Sequence, residues 1–229
     1  MQLAGLQRCS LVDYPGQPCC TVFTQGCNLR CPWCHNARLI GSHAVDPVPE
    51  DEFWGLLHRR RGRVGAVTVS GGEPTLHGDL AEFLATIKSL GFSVKLDTNG
   101  TRPDVLENLI QEYLVDHVAM DVKAPLDERY ETAAGAPVSV DAVRESIAVL
   151  RRSNWIGVEF RTTVVPLIHS EDDIAEIAQD LIGSARYFLQ SFESDEALNP
   201  QYRKSPPPTR EFMRGCRERA SQWIETTIR

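Results

Sequence analysis

Short runs of β-branched and aromatic residues alternate along this chain with segments of helical period, and that alternation limits the possible folds more than any other feature. Cys19–Thr24, Ala66–Ser70, Ser93–Asp97, Val115–Val122, Gly157–Val165 and Tyr187–Ser191 read as strands. Helices are expected from Glu50 to Arg61 and over Asp79–Leu90, Asp104–Tyr113, Val140–Leu150 and Asp172–Ile182. In the second of these, Leu80, Phe83, Leu84 and Ile87 recur at the spacing that turns one apolar face toward a sheet. Strands separated by helices pair in parallel, and right-handed crossovers curl six such units into an α/β open, partial (β/α)6 barrel. Glu50-Asp51-Glu52 in the first turn and Arg59-Arg60-Arg61 in the last complement a helix dipole, so the arginine run reads as a solvated helix end rather than a binding patch.

The remaining stretches are less regular. Leu3–Pro18 reads as a leading segment with a turn at Tyr14-Pro15-Gly16, and Asp46-Pro47-Val48-Pro49 as a linker. Asn199–Pro208 is irregular, and Glu211–Thr227 forms a final helix with Phe212, Cys216, Ala220 and Trp223 or Ile224 as its apolar stripe. One domain over 1–229 is expected, with a core at about 18–192 and an extension at 199–229.

The first strand runs into Phe-Thr-Gln-Gly-Cys-Asn-Leu-Arg-Cys-Pro-Trp-Cys-His-Asn, residues 23–36. Gly26 and Pro32 interrupt regular structure, so Cys27, Cys31 and Cys34 sit on a compact loop at the C-terminal end of a strand, where barrel-like α/β folds build their sites. Thiolates are soft ligands and select zinc, copper(I) or iron–sulfur clusters. Three cysteines on a [4Fe–4S] cube leave one iron free to bind another molecule, whereas a zinc knuckle would need a fourth ligand, for which His35 is the candidate.

The spacing Cys27-x-x-x-Cys31-x-x-Cys34, with Trp33 before the last cysteine, resembles the signature of the radical S-adenosylmethionine (SAM) superfamily. Asp13-Tyr14-Pro15-Gly16, Gln25-Gly26 and His35-Asn36 resemble its glycyl-radical-enzyme activating branch, in particular the short activating proteins of anaerobic ribonucleoside-triphosphate reductase. The resemblance covers most of the chain and weakens after about Ser191. It implies a partial (β/α)6 barrel, a [4Fe–4S] cluster on Cys27, Cys31 and Cys34, and SAM bound at the free iron near Trp33. It further implies reductive cleavage of SAM and removal of a hydrogen from a glycine of a partner glycyl radical enzyme, with flavodoxin or ferredoxin as reductant. The larger activases insert a ferredoxin-like block after the first motif, but His35 to Val64 contains no cysteine, so one cluster is expected. The competing readings are a radical enzyme acting on a small molecule or peptide, and a zinc-binding interaction module without catalysis.

Each later strand ends in a polar motif. Gly71-Gly72-Glu73 can bring an exposed amide, carbonyl and carboxylate close to an ammonium, and by resemblance it grips the methionine amino group of SAM. Asp97-Thr98-Asn99-Gly100 is ordinary turn chemistry taken alone. By resemblance Asp97, Thr98 and Asp121 sit near the methionine end, where some relatives hold a monovalent cation, and Lys123 lies beside its carboxylate. Arg161, costly in so apolar a strand without a partner, either approaches the cofactor or pairs with a barrel acid such as Glu159. Gln190 stands where many activating enzymes carry a ribose-contacting histidine, and its amide can still donate and accept.

Composition narrows the setting. A formal charge of -7, from 24 basic and 31 acidic side chains, argues against a nucleic-acid surface. The N-terminal stretch offers neither a signal peptide nor a membrane span, and seven cysteines, an odd number, suit a reducing cytoplasm better than a disulfide framework. Cys9, Cys19, Cys20 and Cys216 carry no ligand spacing and read as small buried apolar residues.

Overall fold

A computed structural model describes residues 1–41, 47–184, 186–193 and 195–229, so Asp46 of the expected linker lies outside the described residues. Among the described residues one sheet runs in strict chain order through eight strands: β1 (Leu3–Ser10), β2 (Cys19–Thr24), β3 (Ala66–Gly71), β4 (Ser93–Thr98), β5 (His117–Asp121), β6 (Gly157–Val164), β7 (Tyr187–Ser191) and β8 (Thr226–Ile228). The pair β1–β2 is antiparallel, and every later pair is parallel. The helices that make the parallel crossovers are α1 (Glu50–Arg60), α2 (Leu80–Ser89), α3 (Pro103–Gln111), α4 (Arg129–Ala134), α5 (Val140–Arg152), α6 (Glu171–Asp180) and α7 (Arg210–Ala220). The six expected units are β2–β7, and the sheet stays open because β1 and β8 are its two edges.

Strand composition explains this arrangement. Parallel strands are covered by helices on one side and face the barrel interior on the other, so they are buried on both faces. In β3 the run Ala66-Val67-Thr68-Val69 is buried throughout. Helix starts are set locally: Ser139 and Thr209 cap α5 and α7 by accepting from Ala142 and Phe212, and Ser170 with Asp173 forms a reciprocal capping box on α6. Phe53, Trp54 and Phe83 then lock α1 to α2, with ring centroids 4.8–5.2 Å apart.

Four expectations need correction. Leu3–Ser10 is an edge strand rather than an irregular segment; shifts of register between Leu3 and Gly5 and between Gln7 and Ser10 break its alternation and leave Gln7-Arg8-Cys9 exposed. Residues 221–227 do not continue the last helix, which stops at Ala220, and the β-branched run Thr226-Thr227-Ile228 joins the β7 edge instead. The stripe of α7 gains Met213 beside partly buried Phe212, and of Trp223 and Ile224 it is Ile224 that is buried. Cys19, Cys20 and Cys216 are buried as expected, but Cys9 lies exposed on β1. Among the described residues no helix is long and apolar enough to cross a membrane.

Candidate functional site

The cysteine loop leaves β2 and is shaped by its own backbone. Gly26 adopts φ +93°, and its amide donates to Leu39 O at 2.7 Å while Cys27 N donates to Ile40 O. Buried Gln25 fastens the far end of the loop by donating to Gly41 O at 2.7 Å and Arg38 O at 3.3 Å. The next turn packs against it directly: a Cβ on Gly72 would lie 2.0 Å from Gly26 O. Gly71 and Gly72 therefore permit close approach to the β2 loop as well as lining the site.

Glu73 is turned inward, contrary to the exposed carboxylate expected from sequence. It is 1% exposed and accepts from Thr75 N, Thr75 Oγ1, Thr98 Oγ1 and Asn99 N at 2.6–3.1 Å. Three of these donors crowd Oε1, and Asn99 N alone serves Oε2, which keeps acceptor capacity. Burial pushes this carboxyl's pKa up, against the opposing pull of those hydrogen bonds. Its role in the fold is to tie the turn after β3 to the turn after β4.

Deeper in the barrel, charged side chains alternate in sign. Arg161 on β6 donates to Asp121 at 2.8 Å and reaches Asp97, two strands away, at 3.3 Å. Lys123 donates to Asp121 at 2.9 Å. Burial works to raise Asp121, but Arg161 and Lys123 outweigh it and hold the carboxyl well below the usual range. For Lys123 and Arg161 burial works to lower the pKa, and Asp121 outweighs it and raises both. Arg161 thus lines the site and pairs with barrel acids at once, but those acids are Asp121 and Asp97; Glu159, named as an example, meets Arg229, Lys95 and His117 among the described contacts. The guanidinium between Asp97 and Asp121 balances the charge that a monovalent cation would have neutralised there, and the Thr98 hydroxyl is taken by Glu73.

These parts converge. Cys27, Cys31, Trp33 and Cys34 face one hollow of about 330 Å³. Gly71, Gly72, Glu73, Asp97 and Thr98 line the same hollow. So do Asp121, Lys123, Arg161 and Gln190, which brings every candidate side chain to one place. Trp33 is buried with its ring edge-on to His169, 6.1 Å between centroids. Ser70 and Thr163 also reach the hollow and were not singled out from sequence; Thr163 stands two residues beyond Arg161 on the same strand face, a signal that period two could have supplied.

The donor set suits an iron–sulfur cluster. Cys31 is buried and Cys27 and Cys34 half-buried; burial pushes the first up to about 11 and raises the other two, while the nearby Lys123 charge favours the thiolates. The three thiols share the hollow without closing on a point: among the described residues no three His, Cys, Asp or Glu side chains are grouped to hold a single ion. His35, the candidate fourth zinc ligand, instead accepts from Glu193 N at 3.3 Å and packs on Phe192. A cube tethered at separate corners matches this spread of soft donors better than one zinc ion does.

The family profile of the Radical SAM superfamily matches residues 21–181, from within β2 to the end of α6. The chain belongs to the radical SAM superfamily. This radical SAM enzyme is 34% identical over 230 residues to a protein of Methanocaldococcus jannaschii provisionally named a glycyl-radical enzyme activating enzyme, covering 99% of this chain and 94% of that one. It is 31% identical over 182 residues to the pyruvate formate-lyase 1-activating enzyme of Escherichia coli K12, covering 76% and 72% of the two chains. Both relatives place the radical SAM enzyme in the activating branch, and membership implies a [4Fe–4S] cluster and SAM. Among solved structures, SuiB of Streptococcus suis matches with a TM-score of 0.65 at 17% identity, over 90% of this chain and 47% of that one. Coproporphyrinogen III oxidase of Escherichia coli matches with a TM-score of 0.56 at 12% identity, over 90% and 52%. The radical SAM enzyme spans about half the length of these two structures, and at such identities the likeness is one of fold.

Proposed function

We propose that the chain is a single radical SAM domain, 1–229, that activates a glycyl radical enzyme in the cytoplasm, specifically an anaerobic ribonucleoside-triphosphate reductase. The observation that carries this reading is the meeting of three thiols with the Asp97, Asp121, Arg161 and Lys123 group in one hollow, in a chain similar over its whole length to a relative named as an activating enzyme.

Cys27, Cys31 and Cys34 would hold one [4Fe–4S] cluster. A cluster held there, with SAM beside it, would supply one-electron reductive cleavage of the sulfonium, drawing on a reductant such as flavodoxin or ferredoxin, and through it hydrogen-atom abstraction from the partner's glycine. The chain's own part is positioning. Lys123 and Arg161 would share their charge between Asp121 and the methionine carboxylate. The Gly71-Gly72-Glu73 turn would receive the methionine ammonium through its backbone, with the buried Glu73 charge behind it. Asp97 and Thr98 would border the methionine end, and a monovalent cation there would have to displace Arg161. Trp33, wedged against His169, would wall the cluster side and exclude water. Gln190, on β7 across the hollow, would donate to or accept from the ribose. The unclosed sheet would leave a side passage for the partner's glycine segment.

The test is to reconstitute the protein anaerobically with iron and sulfide, reduce it with SAM and a candidate reductase, and record electron paramagnetic resonance. A glycyl doublet is expected. 5′-Deoxyadenosine formed only in the presence of a small molecule or peptide, with no doublet from any glycyl radical enzyme, would replace this reading with that of a radical enzyme acting on such a substrate.

A further inference from the structure

A line of alternating charges leads from the open edge of the sheet to the cysteine loop, and its outer member lies outside every motif described above. Arg229 follows β8, and its amide donates to Leu189 O at 2.9 Å, which fixes it on the edge of β7. Its guanidinium forks onto Glu159 at 3.2 and 3.1 Å and lies 3.5 Å over the ring of Phe188. Glu159, 2% exposed, is also 3.6 Å from Lys95 and 3.8 Å from His117. Lys95, 3% exposed, sits closer to Asp97, at 2.9 Å. The other oxygen of Asp97 receives Ser70 at 3.1 Å and Arg161 at 3.3 Å, and from Arg161 the line continues through Asp121 to Lys123. Lys95 and Asp97 are two apart on β4, as are Glu159 and Arg161 on β6, so each pair faces the same interior.

Lys95 is the shared member. Buried Glu159 and half-buried Asp97 both attract it, and it stays with Asp97 because Arg229, with His117 beside it, faces Glu159. Among the described residues no hydrogen bond serves Asp97 Oδ1, which the Lys95 charge balances. A buried carboxylate that loses its cation draws the nearest one to it, since charges interact strongly away from water. Without Arg229 the Lys95 ammonium therefore shifts toward Glu159, Asp97 turns toward Arg161, and Arg161 is drawn from Asp121.

We infer that Arg229 is a positioning residue that acts through Glu159 and Lys95 to set Asp97 and Arg161 in the cofactor hollow. The inference rests on the assignment of that hollow to SAM. The test titrates SAM calorimetrically onto the anaerobically reconstituted wild type and the Arg229→Met, Arg229→Lys, Glu159→Gln and Glu159→Gln/Arg229→Met variants, beside a crystal structure of Arg229→Met. Arg229→Met is expected to weaken binding about five- to tenfold. Arg229→Lys restores part of the loss, lacking only the fork. In the Glu159→Gln background Arg229→Met changes nothing further, because no unpaired carboxylate is left to draw Lys95. The crystal structure is expected to show Lys95 Nζ on Glu159. Equal binding by wild type and Arg229→Met, or the same loss in both backgrounds, overturns the inference. A wild type that binds no SAM rejects the cofactor assignment instead, and the position of Lys95 in the variant crystal then decides the inference. If Arg229→Met does not fold, the comparison of Glu159→Gln with the double variant decides it.

Discussion

Glu73 and Asn99, on successive turns of the barrel rim, are joined carboxylate to backbone amide at 2.7 Å. The same carboxylate takes three more donors, so the two turns that border the hollow are held by one buried side chain. In Glu73→Gln the new NH2 meets N–H and O–H donors. Leaving buried donors unmatched costs about 2–3 kcal/mol. The melting temperature of the cluster-free protein, followed by circular dichroism, is expected to fall by about 5–10 °C. An unchanged melt would show that the carboxylate holds nothing together.

Replacing Cys27, Cys31 or Cys34 singly by serine removes one of three tethers. Each variant is expected to lose the brown absorbance at about 400 nm that sulfide-bound iron gives, together with most of its iron. Cys19→Ser and Cys216→Ser, altered away from the hollow, are expected to retain iron. Full iron in any of the first three would sink the ligand assignment.

Gly72→Ala places a methyl 2.0 Å from Gly26 O, a backbone atom that cannot swing aside. The cysteine loop must shift, and iron incorporation is expected to fail. Gly78→Ala, whose Cβ meets nothing within 4 Å, is the control and is expected to change stability by no more than about 0.5 kcal/mol.

Burial raises the Glu159 carboxyl, but His117, Lys95 and Arg229 outweigh it and bring its pKa from 4.5 to about 2. A carboxyl depressed in the folded state stabilises above its unfolded pKa, and that stabilisation is lost as pH falls through the folded value. The contribution at neutral pH is about 3 kcal/mol. In urea unfolding, the gap between wild type and Glu159→Gln is expected to be widest near neutral pH. It should close between pH 4.5 and about 2. A gap independent of pH would place the stabilisation elsewhere.

Much of the site was legible because its signals are local. The cysteine spacing, the Gly-Gly-Glu turn and the Asp-Thr-Asn-Gly turn each lie within a few residues, and strand and helix periods carry them to one end of the sheet, where all of them meet. What the carboxylates do there was not legible. Glu73 lines the hollow, yet most of its hydrogen bonds go to Thr75, Thr98 and Asn99; Arg161 both reaches the hollow and pairs with barrel acids, Asp121 and Asp97 in place of Glu159. Two residues apart on one strand, Arg161 and Glu159 share a face, yet each turns to charges on other strands.

Chain order alone determined the alternating units, the parallel sheet and the placing of three thiols beside the polar strand ends, because periodicity, glycine and proline act on near neighbours. Only the tertiary structure decided that Leu3–Ser10 and Thr226–Ile228 form the two edges of the open sheet, that Cys9 lies outside, and that Arg229 reaches Glu159. Those outcomes depend on register and curl, which bring together residues far apart in the chain, 70 positions for Arg229 and Glu159, and no local pattern encodes them.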